Sequence, residues 1–106
     1  MLALDPDHRA LGALPIRGVI CTARSTAEPY DFISRFFAPG SGIDEDPVTG
    51  SAHCALAPYW AAQLGQTEML AYQASKRGGA VRVAVGGDRV RLSGQATTVV
   101  RGEINA

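Results

Sequence analysis

Residues 36–62, FFAPGSGIDEDPVTGSAHCALAPYWAA, decide the fold. A strand-like run ends at Ala38, and Pro39-Gly40-Ser41-Gly42 forces a loop. Three consecutive acids, Asp44, Glu45 and Asp46, are expected to lie on that loop. The chain then turns through Thr49-Gly50-Ser51 into a helix expected over Ser51–Leu64, with Gly65 as its stop. Apolar residues from Ala52 to Leu64 cover every face of that helix. A helix that is apolar all round must be buried on all sides. Pro58 lies inside it and forfeits one backbone bond, so a kink or an early break is expected there.

The segments on either side read as strands, so burying the helix requires sheet wrapped around it. Ile16–Ser25 is rich in β-branched residues and bounded by turn formers. Tyr30–Ala38 places Tyr30, Phe32, Ser34 and Phe36 on one side. Beyond the helix, strands are expected at Leu70–Ala74, Ala80–Val85, Arg89–Ser93 and Thr97–Arg101. Gly86-Gly87-Asp88 joins two of them as a tight hairpin. Gly78-Gly79 reads as a bend or a close backbone approach. Near the N-terminus, Asp5 can cap a short helix with Pro6 in its first turn, ending near Gly12. The expected order is α-β-β-α-β-β-β-β, an α+β chain with a curled, mostly antiparallel, barrel-like sheet around a central apolar helix.

One hundred and six residues are the size of one small domain. Hydrophobic content of 46% and charged content of 19% mark a globular chain. The net charge is zero, which argues against general nucleic-acid binding. No apolar run reaches the ~20 residues of a membrane span, and the N-terminus lacks a signal-peptide pattern, so a cytoplasmic location is expected. The charge is uneven: residues 1–74 hold four arginines against eight acids, and residues 75–106 hold six basic residues against two acids. Solvated strand faces account for that imbalance more simply than a basic docking patch does. Cys21 and Cys54 show no metal or redox spacing and read as small buried hydrophobes.

The head of the long helix is where the sequence looks committed to chemistry. The first N–H groups of a helix have no internal partner, and the dipole adds positive potential there. Gly50 removes the side chain that would keep a ligand away, and Thr49 and Ser51 add hydroxyls. Such a site suits a carboxylate or a phosphate. The plainer alternative is that Thr49 or Ser51 caps the helix. Asp46 stands just ahead, placed to trade a proton with a bound substrate; its plainer alternative is a capping or solubilising acid. His53, in the first helical turn, reads as a satisfied core histidine before it reads as a donor to substrate. His8 belongs to an exposed helix face. Ser51 lacks a base and orienter for a hydrolase triad, and no dinucleotide, P-loop or zinc spacing is present.

At these residues the chain resembles the phenazine biosynthesis-like (PhzF-like) protein family. The motif EDPVTGSAH carries the resemblance, preceded by RFFAPGSGI and followed by CALAPYW. It continues through QASKRGG at residues 73–79 and the closing VRLSGQATTVVRGEI. The resemblance implies a diaminopimelate epimerase-like fold, with the active site between two similar domains. It implies cofactor-independent proton transfer on a small carboxylate-bearing substrate. It assigns Asp46 and Ser51 to catalytic positions, and Thr49, Gly50 and Ser51 to holding substrate anionic groups. It takes Glu45 out of contention as the base, and the positions of Cys21 and Cys54 do not fit a paired-cysteine mechanism. Residues 1–106 would match the C-terminal half only, without the half that carries the family's principal glutamate.

Two readings follow from an intact motif beside a missing half. In the first, the chain is the C-terminal half of an isomerase, and its cleft is completed by a separate N-terminal-half chain or by a second copy in a homodimer. In the second, it is a catalytically inactive, dimeric binding or structural module, because an orphaned apolar face favours association. A weaker third reading is an anion-binding module for phosphate esters. Neither a cofactor nor a metal is implied.

Overall fold

The structure is a computed structural model and describes residues 1–105. Its elements are α1 (His8–Gly12), β1 (Val19–Arg24), β2 (Phe32–Ala38), β3 (Ile43–Asp46), α2 (Gly50–Leu64), β4 (Glu68–Gln73), β5 (Gly79–Gly86) and β6 (Arg89–Ser93). The six strands form one open sheet in the order β1-β2-β4-β5-β6, with β3 paired to β2. The β2–β4 pairing is parallel and the other four pairings are antiparallel. No helix among the described residues is long and apolar enough to cross a membrane.

The alternation read in β2 sets the core. Phe32, Ser34 and Phe36 are buried on the face that meets α2, where Phe32 stacks on Trp60 at 5.7 Å between centroids. Leu56 and Ala57 of α2, Met69 and Ala71 of β4, and Val81 and Val83 of β5 complete the cluster. Trp60 Nε1 donates to Thr22 Oγ1 at 2.9 Å, so its one polar atom is satisfied on β1. Val81 and Val83 point in and Arg82 out. The β5–β6 hairpin turns at Gly87, whose φ of +58° suits glycine.

Several expectations change. The three acids do not lie on a loop. Gly42, at φ +95°, turns the chain back, and Ile43–Asp46 pairs antiparallel with β2 as β3. Asp7 rather than Asp5 caps α1, accepting the Ala10 N–H at 3.0 Å, and this later start sets His8 over Phe37. The helix α2 runs unbroken through Pro58. The bond Pro58 forgoes would go to the carbonyl of Cys54, a residue on the exposed face where water can take the bond's place.

The helix is buried on one face only. Ala52, His53, Leu56, Ala57 and Trp60 face the sheet, while Cys54, Ala55, Tyr59 and Ala62 are exposed. The reason is that the sheet of this chain stays open and covers one side. Cys54 is therefore an exposed thiol and not a core residue; Cys21 is half-buried on β1. Thr97–Arg101 forms no strand. Its β-branched composition fits one, but a strand exists only with a ladder partner, and residues 94–105 have none. Val99, Val100 and Ile104 there are 89%, 82% and 93% exposed.

Candidate functional site

The sheet topology brings the two motifs together. Strand β1 pairs along one edge of β2 from Phe32 to Phe37, so β3 and β4 share the other edge. Because β4 runs parallel to β2 and β3 antiparallel, their C-terminal ends point at each other. Gln73 pairs with Ser34, and Asp46 pairs with Phe36. The residues leaving β3, Asp46-Pro47-Val48-Thr49, thus pass directly over the end of β4 and the turn that follows it.

That turn is shaped to hold them. The Gln73 side chain is fully buried and accepts the Thr49 N–H at 2.7 Å. Its Nε2 donates to the Asp46 carbonyl at 2.9 Å and to Thr49 Oγ1 at 3.0 Å. Ser75 Oγ donates to the Pro47 carbonyl at 2.8 Å and accepts the Gly78 N–H at 2.9 Å. A Cβ on Gly79 would stand 2.3 Å from Val48 Cγ2. Gly78 has φ +74°, and a Cβ there would meet the Tyr72 hydroxyl. The close approach expected at Gly78-Gly79 is therefore, at Gly79, an approach to the site loop itself.

Glu45 and Asp46 are adjacent but point to opposite sides of β3, as strand residues must. Glu45 forms a two-pronged ion pair with Arg35 of β2, both contacts at 2.8 Å. Arg35 also donates to the carbonyls of Met1 and Leu4, at 3.1 and 2.8 Å, which ties down the N-terminal segment. The Glu45 carboxylate raises the Arg35 guanidinium above its ordinary value. The Glu45 carboxylate thereby ties β3 to β2 and, through Arg35, to the N-terminal segment.

Asp46 is half-buried, and Thr49 Oγ1 donates to its Oδ2. Thr49 occupies the N-cap position of α2, yet its side chain makes no cap hydrogen bond. The capping alternative thus fails for Thr49, because its hydroxyl is turned to Asp46 instead. The first-turn N–H groups of α2, beginning at Gly50, have no partner within the helix. Ser51 is exposed and its Oγ accepts from Arg17 Nη2, a residue that precedes β1. The Arg17 guanidinium lies 5.4 Å above the Phe36 ring, and Gly18 lets the chain cross there, since a Cβ would fall 2.5 Å from that ring. A cation, a hydroxyl and a helix start stand beside a carboxylate, a set able to hold an anion and exchange a proton. Gly50 also opens onto a solvent-open cleft of about 660 Å³ walled by Val48, Arg77, Gly79 and Leu92. Asp46 and Ser51 are not among the residues that wall this cleft.

His53 is a core residue. It is fully buried, and its Nδ1 lies 2.7 Å from the Thr49 carbonyl. That carbonyl can only accept, so the neutral ring carries its proton on Nδ1. Nε2 has no partner among the described residues, and the ring centroid lies 6.2 Å from that of Phe32. Burial pushes the imidazole below its ordinary 6.5, outweighing the Thr49 hydrogen bond, which acts the other way. The unfolded chain therefore binds a proton more readily, and stability falls as pH drops below about 6.5. Urea unfolding midpoints between pH 7.5 and 5 are expected to decline, and in His53→Phe this component of the decline is absent. An identical pH dependence in the two proteins would contradict it.

Four residues that shape the site escaped the sequence reading in this role: Arg17, Arg35, Gln73 and Ser75. Gln73 and Ser75 lie in the QASKRGG motif, and two polar residues closing an apolar strand were the available signal. Nothing in the sequence marks Arg17 or Arg35, because their partners are 34 and 10 residues away in the chain.

A family model described as phenazine biosynthesis-like protein matches residues 1–102. An uncharacterized isomerase of Halalkalibacterium halodurans is 54% identical over 101 residues, covering 95% of this chain and 38% of its own length. The crystal structure of a PhzF-family phenazine biosynthesis protein from Enterococcus faecalis superposes with a TM-score of 0.85 at 45% identity, over 93% of this chain and 38% of that one. A putative phenazine biosynthesis PhzC/PhzF protein from Clostridium difficile superposes with a TM-score of 0.84 at 40% identity, over 99% of this chain and 40% of that one. The chain thus spans about two fifths of the length of the relatives it matches.

Proposed function

Because the chain belongs to the phenazine biosynthesis-like protein family, we propose that it supplies one part of an isomerase site that moves a proton on a small carboxylate substrate without a cofactor. Asp46 is the proton carrier of this part. Ser51 is its catalytic partner, and Thr49, Gly50 and Ser51 hold the substrate's anionic group at the start of α2, beside Arg17. The observation that carries this reading is the Thr49 hydroxyl. It occupies a cap position without capping and serves Asp46 instead.

Ser51 is exposed and Asp46 half-buried in this chain. In the proposed reading the chain corresponds to the C-terminal half of its longer relatives. A separate N-terminal-half chain or a second copy completes the cleft, and that addition covers the exposed face of α2, finishing a diaminopimelate epimerase-like arrangement around the helix. The test is deuterium uptake from heavy water into small unsaturated carboxylic acids, followed by mass spectrometry. The chain is assayed alone and mixed with an N-terminal-half polypeptide of a relative. Uptake in an assembled sample is expected; neither complex nor uptake in any sample removes the proposal.

A second reading is favoured by a specific observation, the apolar exposure at Tyr59, Val99, Val100 and Ile104. In it the chain is an inactive module that dimerises through these surfaces. Sedimentation showing a monomer at high concentration counts against this reading, and exchange by the isolated chain ends it.

A further inference from the structure

We propose that Gln73 is a positioning residue of the Asp46 site: it fixes which way the Thr49 hydroxyl proton points, and so keeps Asp46 an acceptor. The inference rests on the proposed role of Asp46 for its functional meaning, but not for its geometry. The Gln73 amide has only one orientation that satisfies its neighbours. The Thr49 backbone N–H, 2.7 Å away, can only donate, so it faces Oε1. The Asp46 carbonyl, 2.9 Å from the other side of the amide, can only accept, so it faces Nε2. One Nε2 hydrogen goes to that carbonyl, and the second goes to Thr49 Oγ1 at 3.0 Å.

The Thr49 hydroxyl therefore accepts from Gln73 and has no acceptor on that side. Its own proton is directed to Asp46 Oδ2, the acceptor it bonds among the described residues. A hydroxyl ordinarily rotates to suit its neighbours. Here a fully buried amide, itself clamped at both ends, removes that freedom. Direction runs one way along the relay, from the amide through the hydroxyl to the carboxylate. The simple structural alternative is that Gln73 only tethers the loop, and that the Asp46 charge attracts the hydroxyl proton.

These alternatives are separated by the torsion of the Thr49 hydroxyl, read by nuclear magnetic resonance from the coupling between its Hγ1 and Hβ protons in the full chain. In the native protein a single torsion toward Asp46 is expected. Asp46→Asn removes the charge and leaves the relay, so the torsion stays in the same well. Gln73→Glu keeps the shape but replaces both Nε2 hydrogens with an acceptor, so the hydroxyl swings by about 120° to the neighbouring staggered well. Averaging over wells in the native protein or in Asp46→Asn overturns the proposal, as does an unchanged torsion in Gln73→Glu. Should Gln73→Glu fail to fold, Asp46→Asn alone decides, since Asp46 is half-exposed. None of these outcomes depends on turnover, so a failure here is distinct from a failure of the proposed isomerase activity.

Discussion

Asp46→Asn is expected to lower proton exchange by about 100- to 10,000-fold, the range a positioned acid or base contributes. The loss is read in whichever assembly incorporates deuterium. The change is nearly isosteric, and Thr49 Oγ1 can donate to the Asn oxygen as it does to the carboxylate. Because residue 46 is half-exposed and its backbone carbonyl keeps the Gln73 bond, the unfolding midpoint should hardly move. A fall in kcat with little change in KM marks a group needed only as the proton moves. Ser51→Ala should raise KM more than it lowers kcat if the hydroxyl chiefly holds the substrate, because the first-turn N–H groups remain. Asp46→Asn with full exchange would place the proton carrier elsewhere, and the half-buried carboxylate would then be a structural group that holds the Thr49 hydroxyl.

The parts of the fold visible in the sequence are those fixed by local rules. Period-two alternation placed Phe32, Ser34 and Phe36 on one face of β2, and Gly65 in the left-handed region ended α2 where expected. The hairpin at Gly87 needed only its own dipeptide chemistry. The misses came where a partner decides. IDED has poor strand propensity, yet it pairs because Gly42 reverses the chain alongside β2. TTVV has good propensity and stays unpaired, because propensity alone does not supply a ladder partner. An apolar helix reads the same from sequence whether its far side meets its own sheet or a surface contributed by another polypeptide. The exposed face of α2 is the physical content of that ambiguity.

The site shows the same division. Asp46, Thr49, Gly50 and Ser51 are consecutive enough for a strand-to-helix turn to gather them, so their neighbourhood was legible. The support beneath them was not. Two strands that approach end to end on one edge of β2 bring Gln73 to Asp46 and Thr49, a contact across 24 to 27 residues. The sequence marked QASKRGG as part of a resemblance; the structure gives it a physical task, which is to seat the turn that carries the acid. Gln73 holds the backbone and hydroxyl, Ser75 holds the Pro47 carbonyl, and Gly79 leaves room for Val48.

That last point yields a second large effect. Gly79→Ala places a methyl 2.3 Å from Val48 Cγ2, well inside contact distance. Val48 is β-branched and stiff at χ1, so the clash is relieved by moving the backbone between Asp46 and Thr49, not by a rotamer change. Overpacking of this kind typically costs about 1–3 kcal/mol, and a displacement on the order of 1 Å at a reacting group costs about 100-fold in rate. Gly79→Ala should therefore lower both the unfolding midpoint and the exchange rate, although residue 79 is far from the reacting atoms in sequence. Val48→Ala removes the offending branch. The double variant Val48→Ala/Gly79→Ala should then regain most of the rate lost in Gly79→Ala, a coupling that additive, independent sites would not show. If the double variant is as slow as Gly79→Ala alone, the glycine serves backbone freedom and not clearance for the loop. If Gly79→Ala is as stable and active as the native chain, the contact between the two motifs does not set the position of Asp46.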